Sequence, residues 1–157
     1  MMTNLIEIVF EQVSKSCIVQ LFCMLINCSE KVKNLQCSEE QFELIDANDL
    51  SEDALTKLTL FNGDLSLIIN VTALNLDDIM LPNIQLRLIK YGNDYDVDLN
   101  FDFNELRDID TITLINRLHK NTQKLASKFE VTCFYGGMEP ASDEDTRYFT
   151  DDEIGPL

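Results

Sequence analysis

Residues 93–105 read NDYDVDLNFDFNE, with Tyr95, Val97, Leu99, Phe101 and Phe103 at the odd positions and Asp94, Asp96, Asp98, Asn100 and Asp102 at the even ones. A period of two over nine or more residues is the signature of a strand with one dry and one wet face, because successive side chains leave a strand on opposite sides. Such a strand needs a sheet covered on one face only. That points to antiparallel pairing, since parallel sheets are buried on both faces.

The rest of the chain fits that demand. Residues 4–10 (NLIEIVF) predict a first strand, rich in β-branched residues. Ser14 or Ser16 is placed to cap a helix running to about Leu35, with Ile18, Leu21, Phe22, Leu25, Cys28 or Ser29, and Val32 on one face. FELID (42–46) reads as a short strand, and SEDALTKL as a brief helical turn capped by Ser51. Asn62-Gly63 and Gly92-Asn93 each separate apolar runs and predict hairpin turns. Asp110 or Thr111 opens a helix through about Phe129, with Ile112, Ile115, Leu118, Leu125 and Phe129 near one face and Lys120, Lys124 and Lys128 along another. EVTCFY predicts a last strand, and the acidic segment from about 138 reads as irregular. The expected fold is α+β: one domain over residues 1–157, a mainly antiparallel sheet with two long helices packed on one face.

Charge narrows the possible partners. The net charge is −16, from 28 acids and 12 bases. Residues 91–110 hold seven acids and one base, and residues 138–157 hold the same, while residues 111–137 carry four bases and one acid. A field of this sign repels nucleic acid and anionic membranes and speeds capture of cationic partners. The cysteines, Cys17, Cys23, Cys28, Cys37 and Cys133, are odd in number and lack C-x-x-C spacing, as expected of reduced thiols in a cytoplasmic protein. The run CIVQLFCMLINC is too short to span a bilayer.

Counted from Asp94, the acids fall at positions 1, 3, 5, 9 and 12 of a calcium loop, but position 6 is Leu99 where glycine makes the turn. The apolar odd positions also argue for a strand. Catalysis is poorly supported: His119 is the single histidine and reads as a solvated helix residue, Cys133 as a half-buried strand thiol, no G-x-S-x-G elbow or phosphate loop is present, and a glycosidase-type carboxylate pair, though the acids allow it, lacks tryptophan platforms. No enzyme activity, cofactor or metal is expected. The carboxylates of Asp94, Asp96 and Asp98, spaced about 6.6–6.8 Å along one face, and that of Asp102 two such steps beyond Asp98, suit either a basic partner or a solvated sheet face.

The C-terminal segment FYGGMEPASDEDTRYFTDDEIGPL adds a resemblance. Through Tyr135-Gly136-Gly137-Met138-Glu139-Pro140-Ala141, Asp143, Thr146-Arg147, Phe149-Thr150 and Gly155-Pro156-Leu157 it resembles small bacterial immunity proteins of contact-dependent growth inhibition and other polymorphic toxin systems. The likeness spans roughly residues 90–157. It implies a cytoplasmic protein that binds and neutralises the C-terminal domain of a cognate toxin, many of which are nucleases with basic clefts. Charge selects the expected partner-binding residues: Asp94, Asp96, Asp98, Asp102, Asp143, Glu144, Asp145, Asp151, Asp152 and Glu153, with Tyr148 as aromatic anchor. Glu139 and Arg147 are expected to be structural, Arg147 by an ion pair that pins the tail. The alternative is an acidic adaptor, chaperone-like module or nucleic-acid mimic for some other basic protein.

Overall fold

The computed structural model describes residues 4–43, 50–106 and 108–157. The elements run β1 (Leu5–Val13), α1 (Lys15–Asn27), β2 (Lys31–Cys37), a helical turn α2 (Glu40–Glu43), α3 (Glu52–Thr59), β3 (Leu65–Leu76), β4 (Ile79–Tyr91), β5 (Asp94–Asp102), α4 (Thr111–Lys128), β6 (Cys133–Met138), β7 (Arg147–Thr150) and β8 (Glu153–Ile154). The eight strands form one sheet in the order β2-β3-β4-β5-β1-β6-β7-β8, with every pairing antiparallel. The fold is α+β, as expected, with three helices, α1, α3 and α4, in place of two long ones against one face.

One face carries the helices. Tyr95, Val97, Leu99 and Phe101 of β5 point to it and are at most 3% exposed. They join Ile6, Ile8 and Phe10 of β1, Leu67 and Ile69 of β3, and Leu86 and Leu88 of β4 in one core. Ile18, Leu21, Phe22 and Leu25 of α1, Leu55 and Leu58 of α3, and Leu114, Ile115, Leu118 and Leu125 of α4 close it from above. Each such side chain, fully buried, contributes about 1.5–3 kcal/mol. The caps are local and conventional. Ser51 Oγ accepts from Ala54 N at 3.2 Å, and Asp110 Oδ1 accepts from Thr113 N at 2.9 Å, which pulls the Asp110 carboxyl below its usual range.

Several expectations are corrected. The first helix stops at Asn27 rather than near Leu35, because Ser29 Oγ turns back onto the Leu25 carbonyl and the chain leaves as edge strand β2. A register shift between Val32 and Asn34 disrupts the alternation there, so the strand keeps no period of two. Asn62-Gly63 makes no hairpin; it links α3 to β3, with Gly63 at φ +136. The hairpin at Gly92-Asn93 is present. Another closes β3 on β4 at Asp77-Asp78, Asp77 taking φ +47. Phe42 lies in the helical turn α2, not a strand, and residues 44–46 fall outside the described residues.

The acidic segment from 138 is not irregular. A 3-10 turn (Glu144–Thr146) leads into β7, which extends the sheet beside β6. Phe149 makes this possible by lying over Gly136, where an added Cβ would sit 2.5 Å from the Phe149 ring. His119 is buried rather than solvated. Its ring stacks on Phe149 with centroids 4.7 Å apart, and Nε2 donates to the Asp151 carbonyl at 2.6 Å.

Candidate functional site

The even residues of β5 face away from the helices, on a sheet surface that no helix covers. Cross-strand register arranges that surface in rows. One row runs Ile68, Arg87, Asp98, Val9 and Tyr135, on β3, β4, β5, β1 and β6. The next runs Asn34, Asn70, Gln85, Asn100 and Glu7, on β2, β3, β4, β5 and β1. The surface is therefore polar at its centre, with the carboxylates of β5 and β1 placed side by side.

Those carboxylates are not equivalent. Asp98 is only 3% exposed; its Oδ2 accepts from Arg87 Nε at 2.8 Å and Nη2 at 2.6 Å, and its Oδ1 from Asn100 Nδ2 at 3.1 Å. Burial pushes the Asp98 carboxyl above its usual range, against the pull of Arg87. Burial also raises Glu7, helped by the nearby Asp98, while the Ala141 amide bonds to it and opposes the rise. For Arg87, burial works against the charge, but the bond to Asp98 prevails and its pKa is raised. Asp98 is thus the anchor of a partly buried network, not a free ligand.

Asp96 is half committed. Its Oδ1 accepts from Gln12 N at 2.9 Å and from Tyr91 OH at 2.9 Å. Gln12 lies in a bulge of β1, between Phe10 and Val13, at φ +52, so the carboxylate takes over an amide that has lost its ladder partner. Burial and this bond push the Tyr91 phenol up to about 12. Asp102 caps a 3-10 turn by accepting from Asn104 N, and Asp94 is exposed at the start of β5.

The second acidic segment divides. Glu139–Ser142 folds back over the open face, where Ala141 is wholly buried against Val9 and Tyr135. Arg147 holds this loop, donating to the Ala141 carbonyl at 2.8 Å with its guanidinium 3.9 Å from the Tyr135 ring centroid. Carbonyls and an aromatic ring make the pin, in place of the expected ion pair. Asp143, Glu144 and Asp145 follow and are exposed. They lie toward the same face as β5, three strand spacings or about 14 Å along the sheet.

Asp152 turns the other way, toward the helices, while the backbone of β6 takes up the Asp151 carboxylate. Asp151 Oδ1 accepts from Phe134 N at 2.9 Å, and Asp152 Oδ1 accepts from Gln123 of α4 at 3.1 Å. Glu153 is exposed on β8 and, paired with Thr150 in line with Tyr135, faces the open side. Tyr148 is half-buried, packed on the core, and burial raises its phenol. The structure therefore brings Asp94, Asp96, Asp98, Asp102, Asp143–Asp145 and Glu153 to one side of the sheet, gives Asp151 to the β6 backbone and leaves Asp152 on the helix side.

The remaining candidates for chemistry lie apart. Cys133 alternates with the core residue Phe134 and so faces away from His119, which lies on the helix side. Burial pushes the Cys133 thiol up, further from thiolate. Among the described residues no cluster of three His, Cys, Asp or Glu could hold a metal, and no helix is long and apolar enough to cross a membrane.

The amides of the second row went unnoticed in the sequence, because Asn34, Asn70, Gln85 and Asn100 lie 15 or more residues apart and only register aligns them. They floor a groove of about 420 Å³, bounded by Lys33, Asn83, Asp102 and Glu105.

Comparison with known proteins gives two findings. The family model described as PABL017 Cdi1I immunity protein matches residues 4–154. Among solved structures, the chain is similar to one in the 1.75 Å crystal structure of the toxic C-terminal tip of CdiA from Pseudomonas aeruginosa in complex with immune protein. The two share 32% identity and a TM-score of 0.85, with 99% of each chain covered. No curated protein matches.

Proposed function

The chain belongs to the PABL017 Cdi1I immunity protein family, and from that premise we propose that it binds the toxic C-terminal domain of a cognate CdiA-type toxin and blocks it. The observation that carries this reading is the end-to-end similarity, at 32% identity, to a chain from a solved complex of a toxin tip with its immune protein. Protection on this reading comes from binding and not from catalysis, and it takes place in the cytoplasm.

The partner we propose is a basic toxin domain, a nuclease whose cleft is shaped for a polyanion. The helix-free face supports this, since it gathers Glu7, Glu11, Asp94, Asp96, Asp98 and Asp102 beside the Asp143–Asp145 loop. Exposed carboxylates steer a cationic partner and speed encounter, while side chains desolvated at the centre of an interface set its lifetime. We assign steering to Asp94, Asp143, Glu144, Asp145, Asp152 and Glu153, and contact to Asp96 and Asp102. Asp98 and Asp151 act by holding the face and the tail in shape, and Tyr148 packs the end of the sheet beside Phe103 and Met138.

Co-expression with the C-terminal domain of a large secreted toxin encoded next to this gene tests the proposal. Cells are expected to survive and a stable complex to purify; arrested growth with no complex would end this account.

A further inference from the structure

The acidic ridge gives a partner attraction but little discrimination. The groove beside it has the features of a specific contact. Its outer wall is already set: Asn70 Nδ2 donates to Asn34 Oδ1 at 2.6 Å, Lys33 Nζ donates to Asn83 Oδ1 at 2.9 Å, and Asn83 Nδ2 donates to Glu105 Oε2 at 2.9 Å. The middle is not. Gln85 and Asn100 stand opposite each other on β4 and β5, and the exposed Gln85 amide makes no hydrogen bond among the described residues.

Asn100 spends its Nδ2 on Asp98, and Asp98 is held by Arg87, so in the free protein the Asn100 amide lies with Oδ1 directed away from that carboxylate. This Oδ1 is the one buried side-chain polar atom without a partner among the described residues. A buried acceptor left unpaired destabilises the free protein, and the loss is recovered when a donor arrives. Asp102 commits one oxygen to Asn104 N, leaving the other beside the groove. The Lys33 ammonium gives one of its three donors to Asn83 and leaves its positive charge on the outer wall. Away from Lys33, toward β5 and β1, the unspent groups are the acceptors Asn100 Oδ1 and the second Asp102 oxygen, with the Gln85 amide beside them and negative charge at Asp102, Glu105 and Glu7.

We propose that this amide-floored groove is the specificity-determining contact with the toxin domain and that it receives an arginine side chain of that domain; the proposal rests on the immunity function above. A guanidinium is a planar fork of five donors and no acceptors. It reaches acceptors on neighbouring strands, about 4.8 Å apart, better than the point charge of a lysine. A small rotation of Asn100 brings its Oδ1 onto the incoming donor, while the second Asp102 oxygen meets the charge.

The test uses the purified chain and the cognate toxin domain, with association and dissociation rates measured on a biosensor. Gln85→Arg puts a like charge in the groove at an exposed, unpartnered site. It is expected to weaken binding about 30-fold or more through faster dissociation, at unchanged melting temperature. Asp102→Asn, which keeps the cap, should act in the same direction. Glu144→Arg in the tail should slow association and leave dissociation alone. Replacing the toxin's arginines with lysine one at a time should reveal one position that is non-additive with Gln85→Arg. Wild-type binding with Gln85→Arg and Asp102→Asn both within threefold of it overturns the groove, and no coupled toxin arginine overturns its occupant. If the wild-type chain fails to bind, the immunity function falls, and this inference with it.

Discussion

Removing Arg87 tests the network that organises the open face. Asp98 is 3% exposed, whereas the Arg87 side chain is 38% exposed, so the two partners do not lose equally. In Arg87→Met the Asp98 carboxylate stays buried, keeps only the Asn100 bond and sits near Asp96 and Glu139, both of which oppose its charge. Breaking a fully buried pair from one side costs about 3–5 kcal/mol. The water that reaches this pair brings the expectation to about 2–3 kcal/mol.

The pH dependence has a definite sign. Asp98 and Glu7 both have raised folded-state pKa values, so each disfavours the folded state once ionised, and that penalty is relieved as pH falls toward the ordinary carboxylate value of about 4. Loss of Arg87 raises both further. The deficit of Arg87→Met relative to wild type, read from urea unfolding, should therefore be largest at pH 7.5 and smaller by about 1 kcal/mol at pH 5. The double variant Arg87→Met/Asp98→Leu should return to within about 1 kcal/mol of wild type, because the pair is removed together. A deficit below about 0.5 kcal/mol, or one that grows as pH falls, refutes the reasoning.

Other perturbations probe the remaining supports. Gly136→Ala drives a Cβ into the Phe149 ring, at 2.5 Å before relaxation, and should cost about 1–3 kcal/mol in thermal unfolding. Ser51→Ala removes the acceptor at the start of α3 and should cost about 1 kcal/mol by urea titration. Arg147→Ala frees the loop held at Ala141 and Tyr135, so residues 139–146 should become several-fold more sensitive to limited proteolysis; unchanged cleavage would deny Arg147 its pinning role. His119→Leu removes the bond to the Asp151 carbonyl, and hydrogen exchange in β7 and β8 should quicken while β3 and β4 stay protected.

What the sequence disclosed depended on how local each cause is. The alternation in β5, the turn at Gly92-Asn93 and the caps Ser51 and Asp110 are contained in a few neighbouring residues, and each is where it was expected. β2 escaped because its bulge hides the alternation, and the Asp77-Asp78 turn because it lacks glycine. The site was legible as charge but not as geometry. Asp98 belongs to the polar set of its strand, yet it is buried because Arg87 arrives from β4, a pairing that only register determines. The amide row is hidden for the same reason. Asp151 and Asp152 look like their acidic neighbours in the chain, but Phe134 and Gln123 claim them from distant elements.

The central claim is that an acidic, helix-free sheet face captures a basic toxin domain. It is tested most directly by the association rate of the purified chain with its cognate toxin domain as salt is raised from about 50 to 500 mM. Capture through this face predicts saturable binding with a rate that falls about tenfold or more over that range. A rate indifferent to salt, or no binding at all, contradicts it.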